Sequence, residues 1–241
     1  MSIYDWAVAA ELALAVVTFI ALFFIVAPYG RHARAGWGPA LPNRIAWVLM
    51  EAPSAITFFV WFMRGPHHTD PRALALLGLW ELHYVNRAFV FPLRLLPGKP
   101  MPVVVMSLGI VFNLLNASVN GWAAAHFPPT SWAWIGIGGA VFASSWWTNL
   151  QSDLTLIRLR KGGGYVIPRG GLFDLISAPN YFSETVEWVG WALASQSLAG
   201  IAFAIYTFAN LAPRAVANHR WYKEKFPNYP LERKAFFPFI W

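Results

Sequence analysis

Apolar stretches of helical length alternate with short polar linkers along the whole chain. They lie at about Trp6–Tyr29, Arg44–Met63, Pro71–Leu95, Met101–Ala125 and Ser131–Leu159, with a sixth starting near Pro179 and a seventh near Leu198. A helix crossing a bilayer needs about 20 predominantly apolar residues, and these runs supply them. Phe127-Pro128-Pro129 stops the fourth run, and the last fades by Ala217 into HRWYKEKFPNYPLERKAFFPFIW. The pattern predicts an all-α, polytopic membrane bundle of about seven transmembrane helices, built as a single domain over residues 1–241.

Composition strengthens that reading. The chain is 57% hydrophobic and 12% charged, with a mean hydropathy of +0.45; soluble domains carry about 25% charged residues. The first apolar run follows an acidic start and has no small-residue cleavage signature after it, so it reads as a mature helix. Cysteine is absent, which excludes disulfides, thiolate catalysis and Fe–S clusters. The formal net charge of +7 need not mean nucleic acid, because basic residues mark cytoplasmic loops. Arg31, Arg34 and Arg44 follow the first run, Arg94 and Lys99 the third, and Arg158, Arg160, Lys161 and Arg169 the fifth. The linkers after the fourth and sixth runs carry no Lys or Arg. This alternation places the N-terminus outside and the C-terminus in the cytoplasm.

Polar chemistry concentrates between Asn149 and Glu187. Asn149, Asp153 and Arg160 fall on one stripe of a helix, and Asn180, Glu184, Glu187 and Trp191 form a similar stripe on another. A basic, glycine-rich loop containing Lys161 and Arg169 joins them, with Pro168 forbidding one uninterrupted helix. Each stripe alone would serve as glue between helices. Both together, with a basic loop between them and Tyr222 and Arg233 beyond, exceed what glue requires. Basic groups suit phosphates, and carboxylates and amides suit ribose hydroxyls and a carboxamide. The combination reads as a nucleotide cofactor entering from the cytoplasm, with a lipophilic substrate held in the bundle.

Ionisable groups inside spans are costly and need a partner or a task. Glu51 lies inside the second run beside Pro53, and either has a functional task or pairs with a base such as Arg87 to hold helices together. The third run holds Glu81, His83, Tyr84, Asn86 and Arg87, with Tyr84 and Arg87 on one face. His67 and His68 lack a second ligand pair and read as loop residues rather than metal ligands. The glycines of Gly136–Gly139 lack a preceding strand, so helix packing explains them better than dinucleotide binding.

At these residues the chain resembles the steroid 5α-reductase family (3-oxo-5α-steroid 4-dehydrogenases). The resemblance is strongest from Asn149 to Trp241. It rests on SD-x6-LR-K at Ser152–Lys161, Y-x-IP-x-GGLF at Tyr165–Phe173 and N-x3-E-x2-EW-x-G at Asn180–Gly190. HR-x-Y at His219–Tyr222 and YP-x3-RKA-x2-PFI at Tyr229–Ile240 complete it. Weaker matches are E-x-PS at Glu51–Ser54, HY-x2-R at His83–Arg87 and G-x-P at Gly98–Pro100. Met50 stands where the family often has Gln, Val166 where a basic residue is common, and Asn218-His219 replaces a larger His cluster.

The resemblance implies seven membrane helices and NADPH as hydride donor to the C4–C5 double bond of a 3-oxo-4-ene steroid. Glu51 and Tyr84 match the pair contacting the substrate 3-keto oxygen. Asn149, Asp153, Arg160, Asn180, Glu184, Tyr222 and Arg233 match cofactor positions, and Lys99, Lys161 and Arg169 join them as basic candidates. Attack of hydride on the β-carbon pushes charge onto the ketone oxygen, where Tyr84, with Glu51 as partner or donor, stabilises it. A membrane methyltransferase of the isoprenylcysteine type, and a reductase of another lipophilic enone or polyprenol, are the alternative enzymes. A transporter or lipid-binding protein is a third class. The expected partners are a steroid and membrane lipid, without nucleic acid; the expected state is a monomer, in a bacterial inner membrane rather than endoplasmic reticulum.

Overall fold

A computed structural model describes residues 2–241. Seven long helices form the body of the protein. They are α1 (Ile3–Phe24), α2 (Asn43–Arg64), α3 (Pro71–Val85), α5 (Val103–His126), α6 (Trp132–Lys161), α7 (Pro179–Ser195) and α8 (Leu198–Lys225). A π-helical turn, Asn86–Val90, carries α3 into a four-residue helix, α4 (Phe91–Arg94). Two-residue strands β1 (Ala40–Leu41) and β2 (Met101–Pro102) pair antiparallel and tie the first linker to the start of α5.

Local chemistry sets the starts. Ser2 accepts from the Asp5 backbone N–H while the Asp5 carboxylate accepts from Ser2 N at 2.7 Å, a reciprocal cap on α1. Asp70 caps α3 and is followed by Pro71 at the first helical position. Arg72 donates to the same Asp70 carboxylate, and that hydrogen bond, with the capping bond, draws its pKa down to about 2. Ser131 and Ser197 cap α6 and α8. Pro53 and Pro213 lie inside α2 and α8 without ending them, so α8 runs to Lys225, past the fading of its apolar pattern at Ala217.

The expected count of seven membrane spans is not met. Among the described residues three helices qualify by length and composition: Ile3–Phe24, Asn43–Arg64 and Val103–His126. The regular α-helical part of α3 is 15 residues long before the π-helical turn continues it into α4, below the ~20 residues of a regular spanning helix. Polar side chains dilute the others: α6 carries Asn149, Asp153 and its terminal bases, α7 carries Glu184 and Glu187, and α8 carries Arg214, His219 and Arg220. The arrangement with the N-terminus outside and the C-terminus in the cytoplasm was counted over seven crossings, which the three qualifying helices do not supply. The all-α architecture stands.

Packing is pairwise. α2 runs along α5, α6 along α7, and both α1 and α7 lie against α8. The α6–α7 crossing depends on glycine from both sides. A Cβ on Gly190 would sit 2.5 Å from Phe142 N and 2.8 Å from Gly138 O, contacts that backbone cannot relieve. Of the run Gly136–Gly139, Gly138 alone meets this crossing. An aromatic core fills the centre: Phe58 stacks on Trp80 at 4.4 Å between centroids, and Trp188 meets Phe203 at 4.1 Å. The C-terminal tail docks beside α7, where Lys234 N donates to Leu175 O and Ser177 N donates to Lys234 O, both at 2.9 Å.

Candidate functional site

The bundle encloses a cavity of about 930 Å³ with walls from α1, α2, α3, α5, α6, α7 and α8. Its volume is that of a site for a large organic ligand. Glu51 and Tyr84 both line it, from α2 and α3. So do Asp153 and Arg160 of α6, Asn180 and Glu184 of α7, Tyr222 of α8, and Lys99 of the linker before β2.

Eight of the twelve sequence-derived candidates therefore share one space. Asn149, Lys161, Arg169 and Arg233 do not line it. Asn149 stands behind the wall, donating from Nδ2 to Asn180 O at 2.9 Å and to Glu184 Oε2 at 3.3 Å. Lys161 and Arg169 are exposed. Arg233 is buried elsewhere, donating to Pro168 O at 2.9 Å and pairing with Asp174 at 3.4 Å. That contact holds the glycine-rich loop against the tail.

One polar network binds the wall together. Arg87 Nη1 donates to Asp153 Oδ2 at 3.0 Å, and its Nη2 lies 3.6 Å from Glu184 Oε2. Asn180 Nδ2 donates to Asp153 Oδ1 at 3.1 Å. The Arg87 guanidinium also lies 4.8 Å from each of the Trp47 and Phe91 ring centres. Arg87 occupies the π-helical turn, a local widening of the helix from which it reaches across to α6 and α7. Its partners are Asp153 and Glu184 rather than Glu51. Glu51 is instead held by Asn113, whose Nδ2 donates to Met50 O at 2.7 Å and to Glu51 Oε2 at 3.3 Å.

A second pair lies deeper. His83 Nδ1 is 2.7 Å from Glu187 Oε1, and both residues are buried. The imidazole meets Tyr84 at 4.9 Å and Trp188 at 4.7 Å, ring centre to ring centre. The stripe on α7 thus splits: Asn180 and Glu184 face the Arg87 network, Glu187 turns to His83, and Trp191 donates to Asn120 Oδ1 at 2.8 Å.

The basic mouth of the cavity is aromatic as well. The Arg160 guanidinium lies 3.8 Å from the Tyr165 ring centre, and Arg31 lies 4.8 Å from Tyr222 and 5.2 Å from Trp221. Among the described residues Arg31 Nη1 is buried without a hydrogen-bond partner, an orphaned donor. His32 Nε2 meets Asn218 Oδ1 at 3.0 Å, joining the first linker to α8. Partial burial pushes the His32 pKa down; the Asn218 contact works against this, while Arg31 and Arg34 add to it.

Sequence reasoning passed over Arg31, Asn113 and Arg214 as site residues, though all three line the cavity. Arg31 had a visible signal, its charge, which the loop-charge pattern already explained. Asn113 is one amide in an apolar run, and only its contact with Glu51 gives it a role.

Residues 99–241 match the family described as 3-oxo-5-alpha-steroid 4-dehydrogenase. The chain is 43% identical to a steroid 5-alpha-reductase of Arabidopsis thaliana over 93% of its own length and 91% of the relative's. It is 40% identical to 3-oxo-5-alpha-steroid 4-dehydrogenase 1 of Bos taurus, covering 95% and 94%. With the corresponding protein of Homo sapiens it shares 38% identity over 88% and 85%. These relatives are plant and mammalian. That overturns the placement in a bacterial inner membrane.

Proposed function

The chain belongs to the 3-oxo-5-alpha-steroid 4-dehydrogenase family, and from that membership we propose how its cavity performs the family's reaction. The protein is an oxidoreductase that transfers a hydride to the C4–C5 double bond of a 3-oxo-4-ene steroid. NADPH is the proposed donor. The observation that carries the reading is the meeting of Glu51 and Tyr84 with Asp153, Asn180 and Glu184 around one cavity of about 930 Å³.

The residues suit a dinucleotide phosphate. The orphaned Arg31 Nη1, the exposed Arg160 and Lys99 supply cationic donors at the mouth. Asp153, Asn180 and Glu184 offer carboxylate and amide groups for hydroxyls and a carboxamide, with Asn149 fixing two of them from behind. Bound there, the nicotinamide would supply the hydride.

The protein's own part is orientation and polarisation. Tyr84 donates a hydrogen bond to the substrate 3-keto oxygen, where negative charge develops as the β-carbon accepts hydride. Glu51 shares that oxygen, and Asn113 holds its carboxyl in place. The apolar stretches of α1 and α5 that line the cavity, among them Leu14, Val17, Leu108 and Val111, offer a surface for a fused-ring hydrocarbon. The proposed active unit is a monomer. Anaerobic oxidation of NADPH with testosterone or progesterone in detergent-solubilised protein tests the reading. Turnover of neither steroid, with NADPH bound, would overturn it.

A further inference from the structure

We infer that His83, oriented by Glu187, donates the proton that completes the reduction at the substrate α-carbon. The inference rests on the enone reduction proposed above and adds the source of its second hydrogen.

Hydride addition to the β-carbon leaves an enolate, with charge shared between the ketone oxygen and the α-carbon. Tyr84 serves the oxygen. A separate acid must serve the carbon, which is one atom removed from the carbonyl carbon. The two donors must therefore be neighbours on one wall. His83 and Tyr84 are adjacent in the sequence, their rings are 4.9 Å apart, and both line the cavity.

The chemistry of the pair fits an acid. His83 Nδ1 donates to Glu187 Oε1 at 2.7 Å, and both side chains are shielded from bulk water. A carboxylate on one imidazole nitrogen fixes the ring and favours the imidazolium, leaving the other nitrogen free to give a proton. Nε2 makes no hydrogen bond among the described residues. Among the described residues the Glu187 side chain has no other hydrogen-bonding partner, its Oε2 being buried and unsatisfied, so the carboxylate is dedicated to this histidine. A helix-to-helix tie alone would not call for a titratable ring against the cavity; a Gln–Glu pair would hold α3 to α7 as well.

Charges face His83 from several elements. Glu187 and Glu184 come from α7, Arg87 from the turn after α3 and Glu51 from α2. Arg87 is paired with Asp153 and Glu184. The carboxylate bonded to His83 itself is Glu187.

The step balances. The Nε2–H bond breaks as a C–H bond forms at the α-carbon, using the enolate electron pair. The enolate becomes the saturated ketone. His83 becomes neutral with Nδ1–H still on Glu187, and solvent at the cavity mouth reloads Nε2.

The test is single-turnover reduction by the full-length protein, following NADPH absorbance for hydride transfer and quenched product for protonation. His83→Ala is expected to bind NADPH as wild type does. Its product formation should fall about 10²-fold or more, the usual contribution of a positioned acid. Millimolar imidazole should restore part of the rate by filling the space left by the ring. Glu187→Gln should move the alkaline limb of the wild-type pH profile to lower pH, because the imidazolium loses its counter-charge. Wild-type rates in His83→Ala would overturn the inference, as would a loss that imidazole does not restore while NADPH binding is intact. Should His83→Ala fail to fold, a Glu187→Gln profile with an unmoved alkaline limb overturns it. Failure of wild-type protein to oxidise NADPH with any 3-oxo-4-ene steroid would instead strike the enone reading itself.

Discussion

Arg87 and Asp153 form a buried ion pair, Nη1 to Oδ2 at 3.0 Å, that joins the π-helical turn after α3 to the middle of α6. Arg87 also reaches Glu184 on α7, so one guanidinium organises three elements around the cavity. Removing one partner of such a pair leaves an uncompensated buried charge. Arg87→Met is therefore expected to destabilise the protein by about 3–5 kcal/mol. Denaturant or thermal unfolding in detergent measures it. A change near zero would mean that water already neutralises Asp153 and Glu184.

Glu51→Gln and Tyr84→Phe are expected to slow hydride transfer from pre-bound NADPH by about 10²–10³ each, the usual effect of losing one oxyanion donor. NADPH affinity should be retained. The double variant should lose little more than either single one, because residues acting as a unit are not lost twice. Glu51→Gln should keep the greater remainder, since its amide still donates and Asn113 still has an oxygen to bond. Unchanged single-turnover rates in both variants would place carbonyl polarisation elsewhere on the wall.

Cofactor affinity should separate residues that line the cavity from those that do not. Asn180→Ala and Arg160→Ala each remove a polar side chain from the wall, and hydrogen bonds to charged groups contribute about 1.5–3 kcal/mol. A loss in NADPH affinity of about tenfold or more is expected, read by fluorescence titration. Arg169→Ala changes an exposed residue outside the cavity and should leave affinity within about twofold. Equal losses from Arg169→Ala and Asn180→Ala would mean that the glycine-rich loop closes over the ligand.

His32 predicts a pH response at the mouth. Its folded pKa is depressed by burial, with Arg31 and Arg34 adding to that depression. In this direction the unfolded linker binds the proton more readily than the folded one. The stabilisation is fully present above the ordinary histidine value of 6.5 and is lost as the pH falls through the folded pKa. Hydrogen exchange across residues 28–42 should thus quicken as pH drops below about 6.5, once corrected for the intrinsic pH dependence of exchange. His32→Gln should abolish the extra acceleration while keeping a donor for Asn218. The same acid response in wild type and variant would refute this assignment.

Helix positions were legible in the sequence because side-chain periodicity and capping are local. Pro71 after Asp70, Ser131 before Trp132 and Ser197 before Leu198 mark starts that the structure reproduces. Asp153, Asn180 and Glu184 stood out because polar groups at helical spacing are conspicuous among apolar ones, and the structure brings them to one cavity. What each polar residue faces could not be read there. Glu184 and Glu187 are three apart on one helix, yet one meets Arg87 and the other His83, because α7 lies between two neighbours whose placement only packing decides. Arg87 pairs with Asp153 rather than Glu51 for a similar reason: it sits in a widened, π-helical turn, invisible in composition, from which it meets α6. The number of qualifying spans also escaped a reading by runs. Apolar run length was taken for crossing length, whereas α3 is interrupted after 15 residues and α6, α7 and α8 give their polar faces to the site. The sequence alone determined an all-helical chain with its polar chemistry gathered toward the C-terminal half. Tertiary structure decided which charges meet, since partners 66 and 104 residues apart in the chain are chosen by helix packing and not by spacing.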